Sequence, residues 1–532
     1  TMKKSLFFIA ALLVAMTGCN KEPQQGVGPD AQDGKLYMQF SVNMLTTRSQ
    51  TDQEEGKTNS NANPDYEVGH DYENTISKVD VVLYDGTNYV VADNVIPNPA
   101  SEDTFVASFS SLQLKPSTGY AIYIYANTDA PTTYNLDATS SAHIDAMTAN
   151  NNFWMTNAYA ANTVTLPADL SLYTQPSTPY DLGQHYVERS MARFDYKAAK
   201  ANNVYTLAES NGQATVNVKL TEAALINQSK EFYLLRRVSA DGTATDWQVG
   251  GVEIPTNYVV DVDWEVKNGL RPETYTDAAV VAGFDAHMSA ANTWTWKSLT
   301  GLKDDNWAGT AAEGEHELDG YQIWQYAKEN TIPGVEEQLQ GITTGIVFKG
   351  EISAAEAASA TLKAAIAAAT DPIYVFENEL YGTWADVVTA ATPADAPATL
   401  KAAVNRITAI KDNPETTDVV EAATSDDYAA AGFTAYKPEG GKYYTYYYYW
   451  NRHNDNKRNA TMGVMEFAVV RNNVYKLCVD SIARYGHPSP TDPDPTDPDP
   501  EEPNEPDEEE NFYFTVTVKV LPWVVRVNHI EF

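Results

Sequence analysis

The last stretch of the chain constrains its fold more than any other part of the sequence. From Phe512 to Val520 apolar residues alternate with Tyr, Thr and Lys, and the apolar positions are Phe512, Phe514, Val516, Val518 and Val520. Strict alternation of β-branched and aromatic residues predicts a β-strand with one buried face. Pro522 has no N–H to donate, so we expect two strand segments, the second with Trp523, or an edge strand with a bend. A Pro-Asp run from Pro488 to Glu510 separates this strand from the rest of the chain.

A second strand of the same kind lies near the start of the chain, between Lys35 and Leu45. Its apolar face consists of Leu36, Met38, Phe40, Val42 and Met44. Arg48 and Ser49 follow it closely and begin a polar run that continues to Tyr66. One cut after Arg48 would detach this first strand, and the last strand could then replace it. The alternative is that both are ordinary strands of one sandwich.

The composition favours a folded, acidic protein with several domains. A length of 532 residues predicts two to four domains, and a hydrophobic fraction of 43% supplies their cores. The 36 Lys and Arg residues against 72 Asp and Glu give a net charge of −36, which repels phosphate backbones and excludes nucleic acid as an expected partner. With only Cys19 and Cys478 there is no disulfide framework, and we expect Cys478 to be buried as a small apolar residue.

The first residues predict export. Lys3 and Lys4 precede an apolar run from Leu6 to Met16, which is too short to span a bilayer. The segment from Ala15 to Cys19 resembles a lipobox, in which the cysteine is acylated and becomes the new N-terminus. We therefore expect a lipoprotein precursor with its lipid on Cys19.

Between the two end strands, short apolar runs separated by turn residues predict β-sandwich structure. The runs read as strands are Ile76–Tyr84 and Tyr89–Ala92 around an Asp85-Gly86 hairpin turn, Gly119–Ala126, Tyr186–Phe194, Val216–Leu220, Phe232–Leu235, Gly345–Lys349, Lys442–Trp450, Met465–Val470 and Tyr475–Ile482. The tyrosines of Lys442–Trp450 fit sheet packing better than a carbohydrate-stacking face, although both remain open.

An alanine-rich insertion interrupts the second half of the strands. A capping box from Ser353 to Glu356 predicts a helix over Ala354–Ala369, and Thr399 is placed to cap a second helix over Leu400–Ile410. We expect these helices to pack on the side of a sandwich and to have no catalytic role.

Motifs for catalysis or for cofactors are missing from the sequence. There is no phosphate-binding glycine loop, no His-Glu-x-x-His and no Gly-x-Ser-x-Gly, and the eight histidines lack the spacing of a zinc site. The segment from His453 to Asn456 fits a polar loop, and the Asp-Pro run lacks the glycine and the last glutamate of an EF-hand. We therefore expect no enzyme activity, no cofactor and no metal.

Four separated features resemble one family: the lipobox at Cys19, the strand that ends before Arg48, the junction Val187–Arg193, and the ending. The ending contains Val469–Leu477, Gly486–Pro488, the Asp-Pro spacer and Val518–Trp523 in the family's order. In these features the chain is similar to the Mfa-type major subunits of Bacteroidales fimbriae, the type V pilins or FimA/Mfa-like proteins. The resemblance implies a mainly β protein with two transthyretin-like β-sandwich domains, a helical insertion in the second, and a C-terminal donor strand.

The resemblance also implies a mechanism of assembly. An Arg-specific surface protease would cut between Arg48 and Ser49 and release the strand of Leu36, Met38, Phe40, Val42 and Met44. The opened groove would accept Phe512 to Phe532 of a neighbouring copy, with Phe514, Val516, Val518, Val520 and Trp523 among its contacts. The expected segments are a signal peptide (1–19), a propeptide (20–48), an N-terminal sandwich (49–185), a C-terminal sandwich (186–487), an acidic spacer (488–511) and the donor strand (512–532).

The implied function is that of a structural subunit of the fimbrial shaft, which supports adhesion and biofilm formation. Its expected partners are other copies of itself, fimbrial anchor and tip subunits, the protease, and ligands on host or bacterial surfaces. The precursor would be lipid-anchored in the outer membrane and the product would lie in the fimbrium. A surface glycan-binding lipoprotein and a minor or tip subunit remain as alternatives.

Overall fold

A computed structural model describes residues 34–44, 67–99, 101, 103–133, 135–149, 151–240, 247–250, 257–267, 278–300, 302, 321–332, 341–411, 423–454, 463–490 and 514–524. The architecture within these residues is mainly β, as the sequence predicts. No helix in the described part is long and apolar enough to cross a membrane.

The first half of the chain forms a nine-stranded sheet that folds over its own core. In the order of their pairing, eight of its strands are β4 (Tyr89–Val91), β3 (Val79–Tyr84), β7 (Gly119–Ala126), β9 (Met155–Asn157), β11 (Tyr180–Arg189), β1 (Lys35–Met44), β6 (Thr104–Ser110) and β5 (Asn94–Pro97), and β10 (Thr163–Thr165) pairs with β7. Residues of β1, β3, β6 and β7 share one hydrophobic cluster. Strands far apart in the sheet therefore pack face to face.

Two further sheets, formed by the short strand Glu67–Val68 and by strands between residues 192 and 524, form a sandwich. One contains β2 (Glu67–Val68), β29 (Phe514–Val524), β28 (Asn473–Ile482), β12 (Ala192–Ala198) and β22 (Gln322–Ala327), in that order. The other contains β13 (Val204–Ser210), β14 (Gln213–Ile226), β23 (Gly345–Ala354) and β27 (Tyr443–Trp450), with β21 (Lys297–Ser298) on β14. Phe194 and Tyr475 of the first sheet and Phe348 and Tyr447 of the second lie in one buried cluster.

Small sheets and single turns complete the described fold. The short strands are β8 (Thr139–Ser140) with β16 (Phe232–Tyr233), β15 (Gln228–Ser229) with β20 (Phe284–Asp285), and β17 (Arg237–Ser239) between β18 (Gln248–Val249) and β19 (Tyr258–Val259). The short helices are α1 (Asp71–Asn74), α2 (Ile144–Met147), α3 (Trp264–Lys267) and α4 (Ala278–Ala282), and 3-10 turns lie at Ser171–Tyr173, Ala201–Asn203 and Ala291–Thr293.

The insertion between β23 and β27 is a small α/β unit. It contains α5 (Ala360–Ala368), β24 (Ile373–Phe376), β25 (Glu379–Tyr381), α6 (Trp384–Ala391), α7 (Ala398–Lys411), α8 (Ser425–Ala430) and β26 (Phe433–Tyr436). Both predicted helix starts are wrong. Ser353 still belongs to β23, and Ser359 caps α5 by accepting from the Leu362 N–H at 3.1 Å. Helix α7 begins before Thr399, at Ala398.

Most predicted strands are present, and three differ from expectation. The predicted strand Tyr186–Phe194 is divided between β11 and β12, which belong to different sheets. The Asp85-Gly86 turn closes the hairpin of β3 and β4, with Gly86 at φ 91°. The predicted strand Met465–Val470 is wrong, because 464–467 form a turn with Met465 at φ 55° and Val469 makes only an isolated bridge, to Asn330. Strand β29 runs through Pro522 without interruption, and Pro522 stands opposite Asn473.

Candidate functional site

The first strand is an interior strand of the nine-stranded sheet. It pairs antiparallel with β6 from Lys35 opposite Ser110 to Ser41 opposite Thr104. On its other edge it pairs parallel with β11, up to Met44 opposite Val187. Without β1 the sheet would therefore have two unpaired strand edges facing each other across a gap one strand wide.

The side chains of β1 fill the core beneath that gap. The predicted apolar face is buried, with exposed fractions of 3% for Leu36, 0% for Met38, 0% for Phe40, 1% for Val42 and 5% for Met44. The Phe40 ring stacks on Phe105 at 6.0 Å between centroids and meets the buried His185 ring at 6.4 Å. Burial lowers the pKa of His185, so this imidazole is neutral at pH 7. We call the space that β1 fills the first-strand slot.

The last strand occupies a different sheet from the first. Strand β29 pairs antiparallel with β28, from Pro522 opposite Asn473 to Phe514 opposite Ile482. Its other edge pairs only at Trp523 and Val524, with the two residues of β2. Over most of its length, therefore, β29 has one hydrogen-bonded neighbour among the described residues.

The residues with predicted roles fall partly outside the described chain. Phe514, Val516, Val518, Val520 and Trp523 all lie on β29. Cys19, Arg48, Ser49 and Phe512 lie outside the described residues. The structure therefore places both strands of the predicted exchange, while the cleavage and the lipidation stay predictions.

The continuous segment β11–β12 has β1 and β28 as successive neighbours along one of its edges. On that side Met44 of β1 stands opposite Val187, and the Asn472 N–H then donates to the Met191 carbonyl at 2.8 Å. On the opposite edge of the same segment, the Ser190 N–H donates to the Trp154 carbonyl at 2.9 Å. The segment that leads into β28 therefore follows the end of β1 along this edge.

A buried ionic cluster holds this junction together. Glu73 is 0% exposed and accepts from Arg193 Nη1 at 3.0 Å and from the Tyr326 hydroxyl at 2.7 Å. Arg193 also donates two hydrogen bonds of 2.8 Å to Asp195. Burial, followed by the charge of Glu73, raises the pKa of Tyr72 beside this cluster to about 12. Buried charges are stable only when paired and hydrogen-bonded, and here each has a partner.

A second buried pair joins the start of β28 to its surroundings. Arg471 Nη2 lies 2.9 Å from Glu329 Oε2, and the same guanidinium donates to the carbonyls of Tyr233 and Leu234 at 2.7 and 3.1 Å. Arg193 and Arg471 lie in segments singled out from the sequence, but neither these ion pairs nor Glu73 were predicted. A charged residue within a strand-like run is the only sequence signal for them.

Cys478 and several tyrosines of β27 are packed in the interior. Cys478 is buried as expected, and burial raises the pKa of its thiol to about 11. Tyrosines of β27 are packed on both faces of their sheet rather than forming an exposed platform, with Tyr443 and Tyr447 in one buried cluster and Tyr446 in another. In the described part of the chain, no group of three or more His, Cys, Asp or Glu side chains is arranged to hold a metal ion.

Known proteins resemble this chain in its C-terminal part. Residues 441–529 match the family of the major fimbrial subunit protein type IV, fimbrillin, in its C-terminal region. No curated protein matches. A candidate cell adhesion protein from Parabacteroides distasonis ATCC 8503 aligns with a TM-score of 0.41 and 11% identity, over 92% of this chain and 100% of that chain. The C-terminally truncated tip fimbrial protein Mfa3 from Porphyromonas gingivalis aligns with a TM-score of 0.34 and 10% identity, over 92% and 100%.

The family match spans β27, β28 and β29, that is, the last strand, its hydrogen-bonded neighbour β28 and one strand of the facing sheet. This part of the chain is therefore similar to the C-terminal region of the fimbrillin family, in agreement with the resemblance inferred from the sequence.

Proposed function

We propose that the chain is a structural subunit of the fimbrial shaft that polymerises by strand exchange. A cut between Arg48 and Ser49 frees the first-strand slot of one copy. The segment from Phe512 to Phe532 of a second copy leaves its own β28 and fills that slot. The observation that carries this proposal is the contrast between a first strand paired along both edges and a last strand that, among the described residues, is paired along one edge over most of its length.

Hydrogen bonding favours the transfer. On β28 the last strand has one long ladder and a two-residue contact with β2. In the slot it would have β6 on one edge and β11 on the other. Each additional ladder hydrogen bond contributes about 0.5–1.5 kcal/mol, so a strand of this length gains several kcal/mol by moving.

Apolar burial favours it as well. An empty slot would expose the core that the five side chains of β1 now cover. Filling it with five apolar side chains is worth roughly 1.5–3 kcal/mol for each of them. Since ordering the strand costs about 1–2 kcal/mol per residue, the net affinity is moderate, and the barrier to withdrawing a whole strand makes the joint persistent.

The precursor cannot polymerise early, because its own β1 fills the slot. In the proposed sequence of events, Cys19 carries the lipid that holds the precursor at the outer membrane, and an Arg-specific protease releases it. The partners are other copies of the chain and the anchor and tip subunits of the same fimbrium. Adhesion to host or bacterial surfaces is a property of the assembled fibre.

Treatment of the purified chain with an Arg-specific protease tests the proposal. We expect a new N-terminus at Ser49 and a ladder of multimers on a gel that heating collapses to monomer. Arg48→Ala should give no ladder, whereas Lys57→Ala is the matched control and should behave like the parent chain. Multimers from a cleaved chain that lacks 512–532 would overturn the proposal.

A further inference from the structure

We infer that the tyrosines around β27 are an anchor that holds the root of the spacer. The last strand can then leave without loosening the sandwich that contains β27 and β28. The root is the segment Arg484–Pro490, which follows β28 directly. The inference goes beyond the proposed function and rests on it, because an anchor matters once the last strand is donated. Apart from Tyr436, its residues fall in the region that matches the fimbrillin family.

Three tyrosine hydroxyls donate to backbone carbonyls of the root. Tyr447 donates to the Arg484 carbonyl at 3.1 Å, and Tyr448 donates to the Pro490 carbonyl at 2.5 Å. Tyr436, from strand β26 of the insertion, donates to the Gly486 carbonyl. All three bonds are made to main-chain atoms, so they hold the path of the chain rather than particular side chains.

The backbone of the root also pairs with β27. The Tyr446 N–H donates to the His487 carbonyl at 2.9 Å, and the His487 N–H donates to the Tyr446 carbonyl at 2.8 Å. Gly486 makes this approach possible, because a Cβ at that position would lie 2.2 Å from the Tyr446 carbonyl oxygen. The glycine is therefore required by the contact itself.

Much of the anchor is buried. Tyr436, Tyr447 and His487 are all buried, and the His487 ring meets the Tyr448 ring edge-on at 5.4 Å between centroids. The hydrogen bond of Tyr436 is buried and therefore sheltered from competition with water, whereas those of Tyr447 and Tyr448 are half-buried. The insertion, which has no other assigned role, supplies Tyr436 and is itself tied to β27 by the Tyr443 hydroxyl on the Asp371 carbonyl at 2.6 Å.

The anchor decides where tension enters the subunit. Once β29 is donated, β28 pairs only with β12 among its described neighbours. Tension on the spacer would then pull at Ile482 and open the β28 pairs one after another. With the root held on β27, the tension passes first to a strand that pairs with β23 along its whole length, from Tyr443 opposite Ile352 to Trp450 opposite Gly345.

Hydrogen exchange on the full chain tests the anchor, first without assembly. We expect slow exchange of the amides in 484–490 of the unassembled protein. The triple variant Tyr436→Phe, Tyr447→Phe and Tyr448→Phe should exchange at least about tenfold faster there, because three hydrogen bonds are lost. Gly486→Ala should have the same effect by a separate route. Tyr444→Phe is the matched control on the same strand and should leave this exchange unchanged.

The same measurement on fibres tests the consequence. Fibres of the parent chain should keep β28 protected although its last strand has left, and fibres of the triple variant should lose protection over 479–482. Equal protection of 484–490 and of β28 in parent and variant would overturn the inference. Failure of the parent chain to form fibres would count against the proposed function alone, because the exchange of 484–490 in the unassembled chain still tests the anchor.

Discussion

The first and last described strands of this chain have the same alternating pattern and nearly the same length, 10 and 11 residues. They differ in how many of their edges are paired with neighbouring strands. Strand β1 is bonded along both edges and lies over the core of the nine-stranded sheet. Over most of its length strand β29 has a hydrogen-bonded neighbour on one edge only among the described residues, and it lies near the margin of another sheet. A side-chain pattern therefore specifies which face of a strand is buried, while the neighbours on its edges determine how easily it can leave.

The largest effect is expected at the junction between these two regions. Arg193→Met leaves two buried carboxylates, Glu73 and Asp195, without their cation. We expect a loss of folding free energy on the order of 5 kcal/mol, because removing one partner of a buried ion pair leaves the other charge buried and uncompensated. Urea denaturation measures it. A loss below about 1 kcal/mol would mean that the ionic cluster does not hold the two regions together.

A somewhat smaller loss of stability is expected for a substitution in the buried face of β1. Phe40→Ala removes a fully buried ring from β1 and should destabilise the uncleaved chain by about 3–4 kcal/mol. Gln39→Ala, on the other face of the same strand, is the control and should change little. After cleavage at Arg48 both variants should be as stable as the parent chain, since the proposed product no longer contains β1. A persistent difference would show that β1 stays bound.

High pH should weaken the junction. Burial and the charge of Glu73 raise the pKa of Tyr72 to about 12, against about 10 in an unfolded chain. Because the folded pKa is the higher one, the contribution of Tyr72 to stability is complete below pH 10 and falls as the pH rises from 10 towards 12. Between pH 8 and pH 11.5, the free energy of unfolding from denaturation curves should fall less steeply with pH for Tyr72→Phe than for the parent chain. Identical slopes would contradict the shift.

The smallest effect is expected at the rim of the slot. Lys35 at the start of β1 pairs with Asp93 at 2.5 Å, and both side chains are largely exposed. An exposed pair contributes at most about 1 kcal/mol, so Lys35→Ala should barely shift the urea midpoint. A loss comparable to that of Phe40→Ala would mean that the rim, rather than the buried face, retains β1.

Local sequence signals predicted the elements that depend on one stretch of chain. The alternation in Leu36–Met44 predicted its buried face, and Asp85-Gly86 predicted a hairpin turn. The helix starts at Ser353 and Thr399 were misplaced, because several residues nearby can cap a helix and only packing selects among them. The run from Met465 to Val470 has the composition of a strand, but Met465 adopts a positive φ and the segment turns instead.

Local patterns in the sequence predicted an acidic, mainly β protein with two similar alternating strands, because side-chain alternation and charge are properties of adjacent residues. The folded chain was needed to show that these strands belong to different sheets, that Glu73 meets Arg193, and that tyrosines from β26 and β27 bond to the root of the spacer. Each of those contacts joins residues far apart in the chain. Their partners are selected by the packing of whole sheets, which no local pattern encodes.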